Sequence, residues 1–269
     1  MTIIDKQFDT NQVMSSHFSY VAKHYHWLRT TDFAPINFIR NNLKGCGIIR
    51  AADIGCGVGR YSYKLLQHLK IDHLICIDRN EKMLRVNREY LRTKRKHNYN
   101  LIKSSAEQIP LANNSLDCVF AFNAIHHFDV AAFLTEAARI VKPGARIFIY
   151  TRFRAQNAKN IWGMYFPSFL QKENRLYELD ELELVIKQTD GIVLETVNEF
   201  RFKRKASLQE LIRRARFKHY STFSLYENAE FEQALKIFEN NVSTRFIDLH
   251  NITWFDEYAM LMVRTKPQL

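Results

Sequence analysis

The sequence contains few of the residues that build disulfide frameworks, zinc sites and flexible linkers. Its 269 residues include four cysteines, eight glycines and five prolines. No two cysteines form a C-x-x-C pair, so we expect buried free thiols and no metal site. The small number of glycines and prolines argues against a long flexible linker. We therefore interpret residues 1–269 as a single domain.

Long apolar runs are also absent. No run approaches the ~20 residues that a membrane-spanning helix requires. The first nine residues, Met-Thr-Ile-Ile-Asp-Lys-Gln-Phe-Asp, do not have the basic-then-apolar order of a signal peptide. The hydrophobic content of 46% is nevertheless sufficient for a sizeable core. We therefore expect a folded protein without a membrane span and with a cytoplasmic location.

Acidic residues are outnumbered by basic ones. The chain has 39 Lys and Arg against 28 Asp and Glu, which gives a formal net charge of +11 at pH 7. Such an excess can attract RNA, an acidic substrate or a membrane surface. Because the sequence shows no motif of an RNA-binding module, a nucleic-acid partner is the alternative and a small-molecule substrate is favoured. The composition leaves the oligomeric state open.

The most informative stretch runs from Ile48 to Ser62. Its pattern predicts a strand that ends at Asp53, then a glycine turn, then the start of an amphipathic helix. Because Gly55, Gly57 and Gly59 lack Cβ atoms, the backbone can turn sharply and a ligand can lie against its N–H groups. The alternative is a strand-to-helix turn that binds no ligand.

This loop differs from the dinucleotide-binding fingerprint G-x-G-x-x-G. That motif requires its third glycine at position 60, where this chain has Arg60. The carboxylate of Asp53, two residues before the first glycine, would also repel a pyrophosphate group. A cationic or zwitterionic ligand therefore fits the loop better than a dinucleotide does.

The order Asp-x-Gly-x-Gly-x-Gly resembles motif I of the class I S-adenosylmethionine-dependent methyltransferases. Their cofactor carries an α-amino group and a sulfonium but no phosphate. The resemblance implies that S-adenosylmethionine is the cofactor. It also implies that five residues of the loop contact this cofactor, namely Asp53, Gly55, Cys56, Gly57 and Gly59.

Strand and helix patterns alternate between Ile48 and Arg152, which predicts a parallel sheet with helices between its strands. The predicted strands are residues 48–54, 73–78, 99–103, 116–123 and 145–152. Ligands of such open sheets bind at the carboxyl ends of the strands. A sixth strand is predicted at 192–200, and a seventh, antiparallel strand at 254–264 is expected at the edge of the sheet beside the sixth.

The fold class is therefore α/β, the doubly wound, Rossmann-like seven-stranded methyltransferase sheet. The single methyltransferase domain is expected to contain four segments. They are a helical N-terminal segment (1–47), a Rossmann-like core (48–200), a helical insertion or lid between strands 6 and 7 (201–250) and the last strand (251–269).

The second predicted strand ends at Asp78, 19 residues after Gly59. A carboxylate at this distance can accept hydrogen bonds from both ribose hydroxyls of an adenosine. Arg79 and Met83 follow on the next helix and are expected to flank the adenine. The alternative is that Asp78 caps the helix that starts near Asn80.

The segment after the third strand, Ser104 to Leu111, contains an Ala-Glu pair followed by a proline. Together with a polar turn before the fourth strand, it resembles the branch that includes the ubiquinone and menaquinone biosynthesis methyltransferases. By this resemblance Ala106 and Glu107 bound the adenine. The alternative is that Glu107 is an ordinary loop acid.

The fourth strand ends in Phe-Asn-Ala-Ile-His-His-Phe, residues 122–128, which resembles the same branch. The resemblance implies that Asn123 and Ala124 lie beside the methionyl part of the cofactor. His126 and His127 could include a proton acceptor, because neutral imidazole is available near pH 7. The alternative is that they only line the pocket, so we name no catalytic residue.

Before the first strand, residues 12–43 are predicted to form two helices with a break near Asp32 to Pro35. The first helix resembles the N-terminal helix of small-molecule methyltransferases, in which a tyrosine often lines the cofactor pocket. Tyr25 is therefore a candidate cofactor contact. The alternative is that Tyr25 is a core aromatic on an amphipathic helix.

Two features beyond Arg152 have alternative interpretations. Residues 157–170 contain an aromatic cluster that could form the floor of a substrate pocket or pack a loop against the sheet. Residues 200–219 carry eight basic residues against one acid, Glu210. They could form a lid over an anionic substrate, a phosphate-contacting patch or a solvated helix face.

The sequence as a whole predicts a methyltransferase that acts on an O, N or C nucleophile of a small molecule. Such a reaction requires mainly that the acceptor is aligned with the S–CH3 bond and that water is excluded. An RNA methyltransferase that uses the basic segment is one alternative. The other is a non-catalytic protein that binds S-adenosylmethionine.

Overall fold

A computed structural model describes residues 3–267 of the chain, with side chains from Gln12 onwards. Within these residues, seven strands form one sheet in the order β3-β2-β1-β4-β5-β7-β6. The strands are β1 Ile49–Ile54, β2 Ile71–Asp78, β3 Tyr99–Lys103, β4 Leu116–Phe122, β5 Val141–Thr151, β6 Ile192–Ala206 and β7 Ile252–Thr265. The strands β1 to β5 pair with one another in parallel, and β7 is antiparallel to β5. The predicted fold class is confirmed.

The expectation that the last strand lies at the edge is wrong, because β7 pairs with β5 and β6 forms the edge. Side-chain burial explains this order. Residues 258–263 of β7 are all buried and almost all apolar, as is typical of a strand covered on both faces. In β6, exposed charged residues alternate with partly buried ones, and charged side chains suit an edge strand.

The fifth strand begins earlier than the sequence predicts. Strand β5 starts at Val141, directly after a helix that ends at Ile140, and not at residue 145 as predicted, so the Lys-Pro-Gly segment, residues 142–144, lies inside the strand. Val141 is buried and pairs with Leu116 of β4, and the register then shifts before Cys118 pairs with Arg146. The Lys-Pro-Gly segment is therefore an exposed and irregular part of the strand.

Helices cover most of the remaining described chain. They are α1 Ile3–Val21, α2 Tyr25–Leu28, α3 Ala34–Asn42, α4 Arg60–His68, α5 Glu81–Thr93, α6 Val130–Ile140, α7 Arg154–Ala158, α8 Ile161–Tyr165, α9 Phe169–Lys172, α10 Leu179–Gln188, α11 Leu208–Arg216 and α12 Asn228–Arg245. The predicted break near Asp32 to Pro35 separates α2 from α3, and Pro35 lies in the first turn of α3, where its missing N–H is not needed. Among the described residues no helix is both long and apolar enough to cross a membrane.

The chain divides into two compact units. The sheet unit consists of Thr31–Phe153, Tyr177–Phe200 and Tyr258–Leu269. Its core contains the apolar side chains of the parallel strands, together with those of α6 and α10. This unit carries the glycine loop and the carboxyl ends of β1 to β5.

The helical unit consists of Met1–Thr30, Arg154–Leu176 and Arg201–Glu257. Its core is rich in aromatic side chains, and Trp162 of α8 stacks on Phe238 of α12 with ring centroids 4.9 Å apart. The aromatic residues of the 157–170 segment therefore pack inside this unit. They have a packing role, as one alternative proposed, but in the core of the helical unit and not against the sheet.

Candidate cofactor site

The glycine loop joins β1 to α4 in the sheet unit, and its own backbone hydrogen bonds fix its course. The N–H groups of Gly55 and Cys56 donate to the carbonyl oxygen of Ile77 in β2, at 2.8 and 3.0 Å. The Gly59 N–H donates to the carbonyl oxygen of Cys56 at 3.0 Å. Backbone carbonyl oxygens therefore occupy these three N–H groups. These N–H groups are not available to bind a phosphate, which agrees with a ligand that has no phosphate group.

Two of the loop glycines are required for different reasons. Gly59 has φ of 83°, and a Cβ atom there would lie 2.3 Å from Oδ1 of Asn87. Gly57 has φ of 52°, but a Cβ atom there would meet no atom within 4 Å. Packing therefore requires glycine at position 59, whereas the space beside Gly57 is open to a ligand.

Asn87 of α5 is a residue that the sequence analysis missed. Its side chain is fully buried, and Nδ2 donates to the carbonyl oxygen of Gly57 at 3.2 Å and to Sγ of Cys56 at 3.4 Å. Asn87 therefore holds the glycine loop from the side of α5. The available signal was a polar residue on the otherwise apolar face formed by Met83, Leu84 and Leu91.

Asp53 ends β1 behind the loop and is 1% exposed. Its Oδ2 accepts a hydrogen bond of 2.6 Å from the Ser62 hydroxyl, whereas Oδ1 has no hydrogen-bond partner among the described residues. The pKa of the Asp53 carboxyl is raised from 3.8 to about 7, because burial and the charge of Asp78 raise it by more than the Ser62 hydrogen bond lowers it. A buried carboxylate oxygen without a partner fits a cationic group of a ligand, such as an α-amino group.

Asp78 ends β2 beside the same loop. Its Oδ2 accepts from the Gly57 N–H at 2.9 Å and its Oδ1 accepts from the Asn80 N–H at 2.8 Å. Burial raises the pKa of the Asp78 carboxyl, and these two hydrogen bonds and the charge of Arg79 oppose that rise. The cap of α5 is Asn80, whose side chain accepts from two backbone N–H groups, so the alternative role of Asp78 as the helix cap is wrong. Each carboxylate oxygen keeps a second lone pair for a ligand.

The residues predicted to surround the adenine lie at the ends of β2 and β3. Arg79 is exposed directly after β2, and Met83 is buried in the first turn of α5. Ala106 is buried in the loop after β3. Oε1 of Glu107 accepts a hydrogen bond of 3.0 Å from the Asp129 N–H, so this acid fixes the loop before α6 with one of its two oxygens.

The end of β4 brings the predicted methionyl contacts to the same edge of the sheet. Asn123 has φ of 51°, in the left-handed region that asparagine tolerates better than most residues. Its N–H donates to the carbonyl oxygen of Tyr150 in β5 at 2.7 Å, and Ala124 after it is buried. His126 and His127 follow in one helical turn, with ring centroids 4.1 Å apart. Tyr25, the remaining predicted contact, lies in α2 of the helical unit and stays a prediction.

A row of buried aromatic rings lies at the carboxyl ends of β4 and β5, next to the start of α4. Tyr61 stacks on Phe122 with centroids 4.1 Å apart, and Tyr150 stacks on Tyr258 with centroids 5.1 Å apart. The Tyr61 and Tyr150 centroids are 6.0 Å apart, which joins the two pairs into one row. The Arg152 guanidinium lies over the Tyr258 ring, 4.3 Å from its centroid. The sequence analysis did not predict this row, because it joins residues that are distant in sequence.

Comparison with known proteins indicates a methyltransferase domain. Residues 52–149 match the family model described as a methyltransferase domain. The chain is 30% identical over 193 residues to the mouse tRNA (carboxymethyluridine(34)-5-O)-methyltransferase ALKBH8, which covers 69% of this chain and 26% of that protein. It is 30% identical over 106 residues to the demethylmenaquinone methyltransferase of Listeria welshimeri, which covers 39% of this chain and 44% of that protein.

A solved structure shows the same fold. It is Haemonchus contortus phosphoethanolamine N-methyltransferase 2 in complex with phosphomonomethylethanolamine and S-adenosylhomocysteine. The TM-score is 0.55 at 18% sequence identity, over 95% of this chain and 58% of that one.

Fold, glycine loop and family match together support a class I S-adenosylmethionine-dependent methyltransferase domain. The chain contains a domain of this class, and the cofactor of that domain is S-adenosylmethionine. The chain spans 26% and 44% of the lengths of the two relatives named above. The relatives do not share one acceptor, since the name of one specifies a tRNA and the name of the other specifies demethylmenaquinone.

Proposed function

We propose that this protein transfers the methyl group of S-adenosylmethionine to a small-molecule acceptor. The observation that carries the proposal is the buried aromatic row at the carboxyl ends of β4 and β5. Its four rings, those of Tyr61, Phe122, Tyr150 and Tyr258, are each at most 7% exposed. Concave sites lined by aromatic side chains suit small molecules, whereas a nucleic-acid interface is typically polar and positively charged.

The cofactor fits residues at the carboxyl ends of β1 and β2, and β1 lies next to β4 in the sheet. The unpartnered oxygen of Asp53 can accept from the α-amino group, and the remaining lone pairs of Asp78 can accept from the ribose hydroxyls. The open space beside Gly57 leaves room for the ligand at the loop. The further contacts that we propose are those inferred from the family resemblance, at Gly55, Cys56, Gly59, Arg79, Met83, Ala106, Glu107, Asn123, Ala124 and Tyr25.

The chemistry asks little of catalytic side chains. When bound, the cofactor supplies a sulfonium-activated methyl group. The protein aligns the acceptor with the S–CH3 bond and excludes water. A general base is needed only where the acceptor must lose a proton before or during the transfer. The aromatic row can perform the first two tasks, and we assign no catalytic base.

RNA is the second candidate acceptor, because one relative is named as a tRNA methyltransferase. The basic segment weakens this candidate. Arg213 and Arg214 both donate to Glu210 at 2.8 Å, and Arg216 forms an ion pair of 2.8 Å with Glu232. Cations that are paired with carboxylates are less available for phosphate contacts. A lid formed by the same segment stays a prediction.

The test is an acceptor screen with S-adenosylmethionine that carries a radiolabelled methyl group. Small metabolites and bulk RNA are supplied in separate reactions, and we expect label in the metabolite fraction. Label in RNA alone would contradict the proposal, and label in neither would favour a non-catalytic binding protein. Neutral substitutions of Arg213, Arg214 and Arg216 serve as the matched control. They should flatten the salt dependence of binding only if RNA is a ligand.

A further inference from the structure

The helical unit contains a cleft that has no part in the site described above. Its volume is about 660 Å³, within the range of roughly 300–1,000 Å³ that is typical of ligand pockets. One wall is formed by α1 and the other by the chain that follows α11. The lining residues are Gln12, Val13, Ser16, His17, Tyr20, Lys218 and Ser224.

Among the described residues, the cleft is lined by one charged side chain, and that charge is positive. Lys218 contributes a cation, and among the described residues no carboxylate lines the cleft. Side chains of Ser16, Gln12 and Ser224 offer hydrogen-bonding groups, and Tyr20 offers an aromatic ring that is 63% exposed. A cation, several hydrogen-bonding groups and an exposed ring together suit an anionic ligand that also carries a planar group.

The ring of His17 is the buried part of the lining. Its Nδ1 lies 2.8 Å from the Ser224 hydroxyl, and its Nε2 has no hydrogen-bond partner among the described residues. Burial, together with the nearby charges of Arg175, Lys218 and Arg29, lowers the pKa of His17 to about 3. The imidazole is therefore neutral at pH 7 and lies in positively charged surroundings.

The backbone conformation of Lys218 is a second observation that bears on the role of its charged side chain. It follows the end of α11 with φ of 48°, and its N–H donates to the carbonyl oxygen of Ala215 at 2.8 Å. This is the left-handed position after a helix at which glycine is preferred. A lysine there has a less favourable backbone conformation than a glycine would have, which is consistent with a role for its ammonium group.

We propose that this cleft binds a phosphate-bearing ligand of nucleotide type, with the phosphate at Lys218 and the planar base against Tyr20. Ser16 lines the same cleft, and its hydroxyl is a hydrogen-bond donor of the kind that phosphate oxygens accept from. The site belongs to the helical unit alone and does not depend on the proposed methyl acceptor. The nucleotide has two sources, a free metabolite or a residue of RNA.

Uridine 5′-monophosphate is a suitable probe, because its base differs from the adenine of the cofactor. Binding is measured by calorimetry on the full chain saturated with S-adenosylhomocysteine, which keeps the probe out of the cofactor site. We expect uridine 5′-monophosphate to bind at least tenfold more tightly than uridine. Tighter binding of a hexauridylate than of the mononucleotide would assign the ligand to RNA, and the reverse order would assign it to a free nucleotide.

The decisive variant is Lys218→Gly, which removes the cation at a position where glycine suits the backbone. We expect a melting temperature that is unchanged or higher and an affinity for the nucleotide that is at least tenfold lower. Arg95→Gly is the matched control. Arg95 also follows a helix, α5, has φ of 53° and donates to the carbonyl oxygen three residues before it, but it does not line the cleft. It should leave nucleotide binding unchanged.

Three results would overturn the proposal. They are absence of nucleotide binding to the wild-type chain, equal binding of nucleotide and nucleoside, or unchanged nucleotide affinity in the glycine variant. If Lys218→Gly does not fold, Lys218→Asn takes its place, since asparagine also tolerates the left-handed region.

Discussion

Asp53 provides a direct test of the link between the cofactor site and stability. Its carboxyl is buried, and its pKa is raised from 3.8 to about 7. A carboxyl with a higher pKa in the folded state binds its proton more tightly there than in the unfolded chain. Its contribution to stability is therefore complete below about pH 4 and is lost as the pH rises towards 7. Above pH 7 the folded protein contains a buried carboxylate.

The substitution Asp53→Asn replaces this group with a neutral side chain of nearly the same shape. Each pKa unit corresponds to ~1.4 kcal/mol, so the cofactor-free variant should be more stable than the wild type by roughly 4 kcal/mol at pH 8. At pH 5.5 the difference should fall to roughly 2 kcal/mol, because the wild-type carboxyl is then neutral in the folded state. The Ser62 hydroxyl can still donate to the amide oxygen. The same variant should bind S-adenosylmethionine more weakly, since its amide oxygen carries no charge.

The assay is denaturant or thermal unfolding of both proteins at the two pH values without cofactor. Asp72→Asn is the control for the loss of one negative charge, because Asp72 is an exposed residue of β2. A stability difference for Asp53→Asn that is the same at both pH values would refute the reasoning. So would a variant less stable than the wild type at pH 8.

Three further predictions concern single substitutions. Asp78→Asn should lower the affinity for S-adenosylmethionine by roughly a hundredfold, because the loss of two charge-assisted hydrogen bonds costs on the order of 3 kcal/mol. A wild-type affinity measured by calorimetry would contradict the ribose assignment. Gly59→Ala should lower the melting temperature more than Gly57→Ala does, because φ is positive at both positions but only the Cβ at position 59 also has no space. Gly57→Ala should lose cofactor affinity, and equal melting temperatures of the two variants would contradict this contrast. Tyr150→Phe should not lower the free energy of unfolding, because the Tyr150 hydroxyl is buried without a hydrogen-bond partner among the described residues. Tyr226→Phe should lower the free energy of unfolding, measured by chemical denaturation, by about 1 kcal/mol, because the Tyr226 hydroxyl donates to a backbone carbonyl at 2.6 Å.

The sequence by itself determined the elements that depend on local pattern. The apolar run before Asp53 and the glycines after it define the strand, the turn and the start of α4, because hydrophobic periodicity and the conformational freedom of glycine act over a few residues. The same reasoning located Asp78 at the end of the second strand. The resemblance of these segments to a known family then identified the cofactor, since the residues that carry it lie in short continuous motifs.

The tertiary structure decided the features that join distant segments. The position of β7 between β5 and β6 follows from burial on both of its faces, which depends on neighbours that its own sequence does not specify. The support of the glycine loop by Asn87 depends on the packing of α5 against it. The ion pairs of Arg213 and Arg214 with Glu210 partly neutralise the positive charge of the basic segment. In each case the deciding interaction is a contact between side chains or strands whose geometry is set by the packed fold and not by local periodicity.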